Sequence, residues 1–155
     1  MGVSWRIVKS KWAASAFDGE GARRSGGRWN SSGVRIVYTC ATQSLAVLEV
    51  LVHLEDSSIL PSYSVIRAEF GDDLVESLEP SALPPNWADP VAPLETQRIG
   101  DEWIRQQSSV VLRVPSVIVP QEYNYLLNPQ HPDFPAIKLG APQHFPFDSR
   151  LLGSI

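Results

Sequence analysis

The chain has 155 residues, of which 43% are hydrophobic and 19% charged, and this length fits one domain, residues 1–155, without a second core. Its net charge of -4 disfavours direct binding to nucleic acid, and its longest apolar run, residues 45–52, is too short to cross a membrane. Cys40 is the one cysteine, which excludes an internal disulfide, so we expect a protein of the reducing cytoplasm.

Short runs rich in β-branched and aromatic residues predict two strands, at residues 4–8 and 34–39, with a polar, glycine-rich segment between them. Ser44 is the expected N-cap of a helix over residues 45–54. Apolar residues lie on nearly every side of this helix, which predicts that it is buried. Alternating side chains over residues 62–70 predict a further strand.

Prolines mark the middle of the chain. Five of them between Pro80 and Pro93 predict a long surface loop, and not a domain boundary. Apolar residues at helical spacing after this loop predict a helix that carries Leu94, Ile99, Trp103 and Ile104. Residues 110–114 predict a strand that Pro115 ends, and residues 118–119 and 136–139 predict short extended segments. Strands outnumber helices, so the expected class is α+β.

The segment over residues 19–30 holds four glycines and three arginines. Such a composition is typical of a flexible, solvated loop. However, Trp29 is unusual on a mobile loop, and Gly26 and Gly27 predict a turn that aims Arg28 at a ligand such as phosphate. The glycine spacing matches neither a Walker nor a Rossmann phosphate loop.

Glu49 lies inside the apolar helix, where an unpaired carboxylate is unfavourable because it loses its water. It must therefore be paired or face a cleft. His53 projects from the same side one turn later, and a core histidine bonded to a backbone carbonyl is the commoner interpretation of it. Glu49 and His53 would supply only two ligands, so no metal site is predicted.

Tyr38 and Ser116 stand at the ends of predicted strands, where both residue types are common for structural reasons. Ser116 lacks the GxSxG pattern of a nucleophile elbow. The sequence therefore indicates a hydrogen-bonding role for Ser116.

The chain resembles the RES-domain toxins from about Arg6 to Leu151, in several separated motifs that occur in the family's order. The motifs are residues 19–22, 26–30, 37–38, 45–53, 114–116, 124–129, 131–134 and 147–151. The family is named after an Arg, a Glu and a Ser. Here these correspond to Arg28, Glu49 and Ser116, with Ser109 as the other candidate for the serine.

This resemblance implies the toxin of a bacterial toxin–antitoxin pair, whose partner is an Xre-like helix-turn-helix antitoxin and whose complex can contain a toxin homodimer. It also implies a fold similar to that of diphtheria-type ADP-ribosyltransferases, with a bent, split mixed sheet flanked by helices around an NAD cleft. NAD would then be the substrate, cleaved between nicotinamide and ribose with water or phosphate as acceptor and without a metal. ADP-ribosylation of a protein is the second hypothesis, and a catalytically inactive antitoxin-binding module is the third.

The resemblance assigns catalytic roles to Arg28, Tyr38 and Glu49. Glu49 would stabilise the positive charge that develops on the ribose as nicotinamide leaves. Arg28 would bind the pyrophosphate, and Tyr38 would lie near the nicotinamide ring. The further expected NAD contacts are Arg6, Asn30 and Ser116.

Overall fold

Eight strands and three α-helices are found in residues 1–54 and 62–152, the part of the chain that the computed structural model describes. In chain order they are β1 (Gly2–Lys9), α1 (Glu20–Ser25), β2 (Val37–Cys40), α2 (Gln43–Val52), β3 (Tyr63–Phe70), β4 (Val75–Ser77), α3 (Leu94–Gln106), β5 (Val111–Pro115), β6 (Tyr123–Leu127), β7 (Lys138–Leu139) and β8 (Gln143–Phe145). None of these helices has the length and hydropathy that crossing a bilayer requires.

The strands form one sheet in the order β4-β5-β6-β2-β1-β3-β7, and β8 also pairs with β3. Neighbouring strands are antiparallel except β4 and β5, which are parallel, so the sheet is mixed. β1 and β2 share one residue pair, Trp5 with Cys40, whereas β1 and β3 share eight. The sheet is therefore split between β1 and β2, which confirms the expected bent, split mixed sheet of an α+β fold.

Two helices cover one face of the sheet at different places. α2 packs on the cluster formed by Ile7, Cys40, Leu45, Ala46, Tyr63 and Val65. α3 contributes Trp103 to a second cluster, which also contains Trp29, Ile36, Leu112, Val114 and Leu126. The opposite face encloses its own core, and the rings of Phe70 and Tyr125 meet there at 5.3 Å because the sheet curls.

The structure corrects two expectations about α2. Its N-cap is Thr42 and not Ser44, because the extended Thr42 accepts a hydrogen bond from Leu45 N–H through Oγ1 at 3.1 Å. The helix is also not buried on all sides, since Leu48 is 39% and Val52 60% exposed. Only one side of α2 lies on the sheet, so apolar side chains on its other side remain at the surface.

Several strand predictions are confirmed and others are wrong. The strands expected at residues 4–8, 62–70 and 110–114 and the helix after the proline loop are present. β2 begins three residues later than expected, at Val37. Residues 118–119 form no strand, because a turn that depends on Ser116 occupies this position. Of residues 136–139, Ile137 is extended and Lys138–Leu139 form β7, whereas Ala136 ends a 3-10 helix that contains a proline.

Candidate functional site

The candidate site lies on the helix-covered face of the sheet, between α2 and α3. Tyr38 and Cys40 are two residues apart on β2, so their side chains point to the same face of the sheet. This is the face that α2 and α3 cover. Tyr38 packs beside the cluster under α3, whereas Cys40 belongs to the cluster under α2. β2 thus connects the helix that carries Glu49 with the region that presents Arg28.

The glycine-rich segment presents Arg28 from a tight turn. Gly26 is the C-cap of α1 and has a φ of 70°, which favours glycine, and Gly27 N–H donates to Asn30 O at 2.9 Å. A Cβ at Gly27 would lie 2.7 Å from the Tyr38 hydroxyl, so the turn can approach β2 only with glycine there. Trp29 is buried, which agrees with the expectation that this segment is more than a solvated loop.

The Tyr38 hydroxyl is bonded to this turn in two ways. It donates to Asn30 Oδ1 at 2.6 Å and accepts from Trp29 N–H at 3.1 Å. Burial raises the pKa of the Tyr38 phenol, which therefore stays neutral and acts as a donor. The hydroxyl connects β2 to the turn, and the ring remains as the part of Tyr38 that can contact a ligand.

Asn30 is fully buried. Its Nδ2 donates to Ala22 O, Ser31 O and Val34 O, at 2.9, 3.2 and 3.0 Å. These bonds and the one from Tyr38 engage both Nδ2 and Oδ1 of the Asn30 amide. Asn30 therefore shapes the turn that carries Arg28, and its direct contact with NAD stays a prediction.

Arg28 is half-buried and is fixed by the proline-rich loop. Its Nη1 donates to Trp87 O at 2.8 Å. Burial lowers the pKa of Arg28, and the nearby charges of Glu49 and Asp89 oppose this shift. Both acidic residues thus favour the ionised form of the guanidinium.

Glu49 lies on α2, and its side chain is 29% exposed. Loss of water raises the pKa of this carboxyl, and Asn124, His53 and Arg28 oppose the shift. His53 Nε2 lies 4.0 Å from Glu49 Oε2 and its side chain is 82% exposed, so the interpretation of His53 as a core histidine is wrong.

Asn124 begins the motif at residues 124–129, but no role in the site was expected of it from the sequence. It is buried on β6, and its Nδ2 lies 3.4 Å from both Glu49 Oε1 and Cys40 Sγ. Asn124 pairs with Cys40 across β2 and β6, a pairing that no spacing in the sequence indicates. Burial raises the pKa of the Cys40 thiol to about 12, so it is a protonated neighbour and not a nucleophile.

Arg6 lies at the split in the sheet. Its Nε donates to Ala16 O at 2.8 Å and its Nη1 to Tyr38 O at 3.0 Å. Burial lowers the pKa of Arg6. The guanidinium therefore bridges β1 and β2 through backbone carbonyls, and a phosphate or ribose contact of Arg6 stays a prediction.

Ser116 is fully buried just after β5. Its Oγ accepts from Ile118 N–H and Val119 N–H, both at 3.1 Å, and so forms a turn. Because Val114 pairs with Asn124, Ser116 lies at the end of β5 that is nearest the site. Ser109 precedes the other end of β5, about 20 Å away along an extended chain, and accepts from Trp103 Nε1.

Two cavities of about 230 Å³ each lie elsewhere. One is at the mouth of the curled sheet, between Gly2 and Arg113, and the other is between β5 and α3, beside Trp103. Arg28, Tyr38 and Glu49 line neither of them. In the described part of the chain, no group of three or more His, Cys, Asp or Glu side chains is arranged to hold a metal ion.

A family model described as "RES domain" matches residues 3–148 of the chain. The chain is 43% identical to "Toxin Res" of Yersinia enterocolitica over 148 residues, which make up 95% of this chain and 97% of that protein. It is 37% identical to "Prs ADP-ribosylating toxin" of Sphingobium sp. over 153 residues, or 96% of this chain and 95% of that protein.

A solved structure has a similar fold. It is the crystal structure of the MbcT–MbcA toxin–antitoxin complex of M. tuberculosis, with a TM-score of 0.76 and 18% sequence identity. The match covers 97% of this chain and 86% of that chain. At this low identity the likeness establishes the curled mixed sheet with its helices, and nothing about chemistry.

Proposed function

Because the chain belongs to the RES-domain family, we propose that it is the toxin of a bacterial toxin–antitoxin pair and degrades NAD by cleaving the nicotinamide–ribose bond. One observation carries the proposal. β2 links the three residues: the Tyr38 hydroxyl bonds the turn that carries Arg28, and Cys40, two residues later on the same strand, contacts the Asn124 amide, which also lies 3.4 Å from Glu49 Oε1.

The reaction needs a group that stabilises positive charge. When the bond between ribose C1′ and the ring nitrogen breaks, its electron pair stays with nicotinamide, which leaves as a neutral ring. The ribose becomes cationic, and water or phosphate then bonds to C1′, with water losing a proton. Glu49 suits this step because its half-buried carboxylate interacts strongly with a cation at a position with little competing water.

Arg28 would bind the pyrophosphate of NAD. Its guanidinium is permanently charged and offers paired N–H groups, which match phosphate oxygens better than a lysine would. The Tyr38 ring would pack near nicotinamide, since both bonds of its hydroxyl are already made within the protein. Arg6, Asn30 and Ser116 would support the site from its edges, and NAD would be bound without a metal.

ADP-ribosylation of a protein is the second candidate. The relative of Sphingobium sp. is named "Prs ADP-ribosylating toxin", and the match spans nearly the whole of both chains. The same Glu49 would serve both reactions, because they differ only in the acceptor that attacks C1′. An inactive binding module is less well supported, since it would have no use for a half-buried carboxylate whose pKa is raised by lost water.

The proposed partner is an Xre-like helix-turn-helix antitoxin in the cytoplasm, which would supply the contacts to DNA. The fold neighbour was solved in a toxin–antitoxin complex, which supports an antitoxin partner for this chain too. The net charge of -4 suits a partner with basic patches. The proposal includes a toxin homodimer within that complex.

Release of nicotinamide from NAD by the purified chain tests the function, in buffers with and without phosphate. Wild type should release nicotinamide, and Glu49→Gln should not. The control variant Glu69→Gln should release nicotinamide as wild type does, because Glu69 pairs with Arg67 on β3. Absence of turnover by wild type with either acceptor, and of labelled ADP-ribose on proteins of a lysate, would contradict both enzymatic hypotheses. Labelled protein without soluble ADP-ribose would favour the second.

A further inference from the structure

One face of α3 holds the backbone of the turn that carries Arg28. This face, which we call the α3 clamp, consists of Gln97, Gly100 and Asp101, which share one side of the helix because they are three and four residues apart. Gln97 Nε2 donates to Gly27 O at 3.0 Å. The peptide immediately before Arg28 is therefore bonded to the helix.

Asp101 holds the other side of the same turn. Its Oδ1 accepts from Ser31 N–H at 3.0 Å, and its Oδ2 accepts from Ser31 Oγ at 2.6 Å. Both carboxylate oxygens thus bind one residue, and charge-assisted bonds of this kind are stronger than neutral ones. Gln97 bonds Gly27 and Asp101 bonds Ser31, so Arg28 lies between two residues that are each bonded to α3.

Gly100 brings the helix into direct contact with the turn. A Cβ at this position would lie 1.6 Å from Trp29 O and 2.7 Å from its carbonyl carbon. Glycine is unfavourable within a helix, so the position is explained by this approach of one backbone to another. No side chain lies between α3 and the turn, and the helix itself sets where residue 29 lies.

The Arg28 side chain is oriented by the loop that leads into α3. Within residues 1–54 and 62–152, its one hydrogen bond is from Nη1 to Trp87 O. This leaves Nε and Nη2, whose N–H groups lie side by side along one edge of the guanidinium. That edge is the one that binds two oxygens of a phosphate group at once.

We infer that the α3 clamp positions Arg28 so that its Nε–Nη2 edge binds the pyrophosphate of the substrate, and that Gln97, Gly100 and Asp101 thereby set the affinity for NAD. The inference rests on the proposed function, since it takes NAD as the substrate. The three are positioning residues, because they act through Arg28 and do not touch the reacting atoms.

Binding of ADP-ribose to Asp101→Ala, followed by calorimetry, tests the inference. ADP-ribose keeps the pyrophosphate and cannot be cleaved at the nicotinamide bond. We expect Asp101→Ala to weaken its binding about tenfold and to raise KM for NAD by the same factor with kcat unchanged, because the pyrophosphate is bound equally in ground and transition states. Misfolding would instead lower the active fraction and leave KM as it is.

Two further variants sharpen the test. Asp101→Asn keeps an acceptor for Ser31 N–H and should bind ADP-ribose nearly as wild type does. Glu102→Gln is the control, since this neighbouring carboxylate bonds Arg105 and Gln106 on the exposed side of α3, and it should change nothing. If Asp101→Ala does not fold, Gln97→Ala removes the bond to Gly27 O and takes its place.

The outcomes separate the inference from the proposed function. Wild type that degrades NAD, with Asp101→Ala that binds ADP-ribose equally well, would overturn the inference alone. Weakened binding by Asp101→Ala without nicotinamide release by wild type would overturn the proposed reaction and support the positioning of Arg28. Wild type that neither binds ADP-ribose nor releases nicotinamide would overturn both, and wild type that releases nicotinamide without binding ADP-ribose would overturn the inference alone.

Discussion

The hydroxyl of Tyr38 lies 2.6 Å from Oδ1 of Asn30, and this bond joins the central strand to the turn that carries Arg28. The same hydroxyl accepts the N–H of Trp29. One oxygen atom thus fixes two consecutive residues of the turn next to Arg28. The geometry of the proposed NAD site therefore depends on a tyrosine hydroxyl that itself need not touch NAD.

Tyr38→Phe should lower the free energy of unfolding by about 1–3 kcal/mol, because it leaves Trp29 N–H and Asn30 Oδ1 without their partner in a buried environment. Urea denaturation of the variant measures this. Tyr125→Phe is the matched control, since no hydrogen bond of the Tyr125 hydroxyl is found in residues 1–54 and 62–152. Equal unfolding midpoints for the two variants would show that the Tyr38 bond contributes nothing.

The acid limb of the pH profile should report Glu49. Its pKa is raised by lost water, so kcat/KM for NAD should fall on acidification at a pH above the ordinary glutamate value of about 4.3. Asn124 favours the ionised carboxyl, and Asn124→Ala should therefore move this limb to still higher pH.

Gln106→Ala is the control for that profile. Gln106 donates to Glu102 at 2.8 Å in an exposed pair at the end of α3, and its loss should leave the acid limb in place. The profiles are obtained from initial rates of nicotinamide release. A limb that moves to lower pH in Asn124→Ala would contradict the role given to Asn124.

Glu49→Gln should stabilise the fold at neutral pH while it abolishes turnover. A carboxyl whose pKa is raised in the folded state destabilises that state once the pH exceeds the folded pKa, and this penalty is absent below the unfolded pKa. The free energy of unfolding of the variant should therefore exceed that of wild type at pH 7, and the difference should shrink as the pH falls below the unfolded pKa of about 4.3. Thermal unfolding at pH 7 and at about pH 4 checks this, and a less stable variant at pH 7 would refute it.

Gly100→Ala should destabilise the protein by about 1–3 kcal/mol, because the added methyl group would meet Trp29 O and push α3 from the turn. The matched control is Gly21→Ala in α1, where a Cβ meets nothing within 4 Å. That change should be neutral or stabilising by up to about 1 kcal/mol, since alanine favours a helix. Thermal melts of both variants provide the comparison.

Local periodicity predicted those elements whose packing agrees with their pattern. β1 lies where its β-branched and aromatic residues predicted a strand, and β3 and α3 lie where alternation and helical spacing placed them. Thr42 and Ser44 are both good N-caps by type, and only the backbone conformation selects Thr42. The exposure of Val52 was unpredictable for a similar reason, because an apolar pattern does not reveal how much of a helix the sheet covers.

The site was predictable only in part. The family motifs indicate Arg28, Tyr38 and Glu49, but Asn124 reaches Glu49 through a strand pairing that brings together residues 75 positions apart. Gln97 and Asp101 look like the solvated side of an amphipathic helix in the sequence. Their contact with the Arg28 turn depends on tertiary packing, which neither composition nor spacing records.

The single residue pair between β1 and β2 has a mechanical consequence. β1 with β3, β2 with β6, and β5 with β6 are joined by continuous ladders of backbone hydrogen bonds. Along the seam between β1 and β2, side chains make much of the connection, through Arg6 to Tyr38 O and through Thr39 Oγ1 to Ser4 Oγ. Side chains change rotamer more easily than strands slide past one another in a ladder of backbone hydrogen bonds. We therefore expect the seam to yield before the ladders of β1–β3, β2–β6 and β5–β6 do, with Arg6 and Ser4 limiting how far the two halves of the sheet can part.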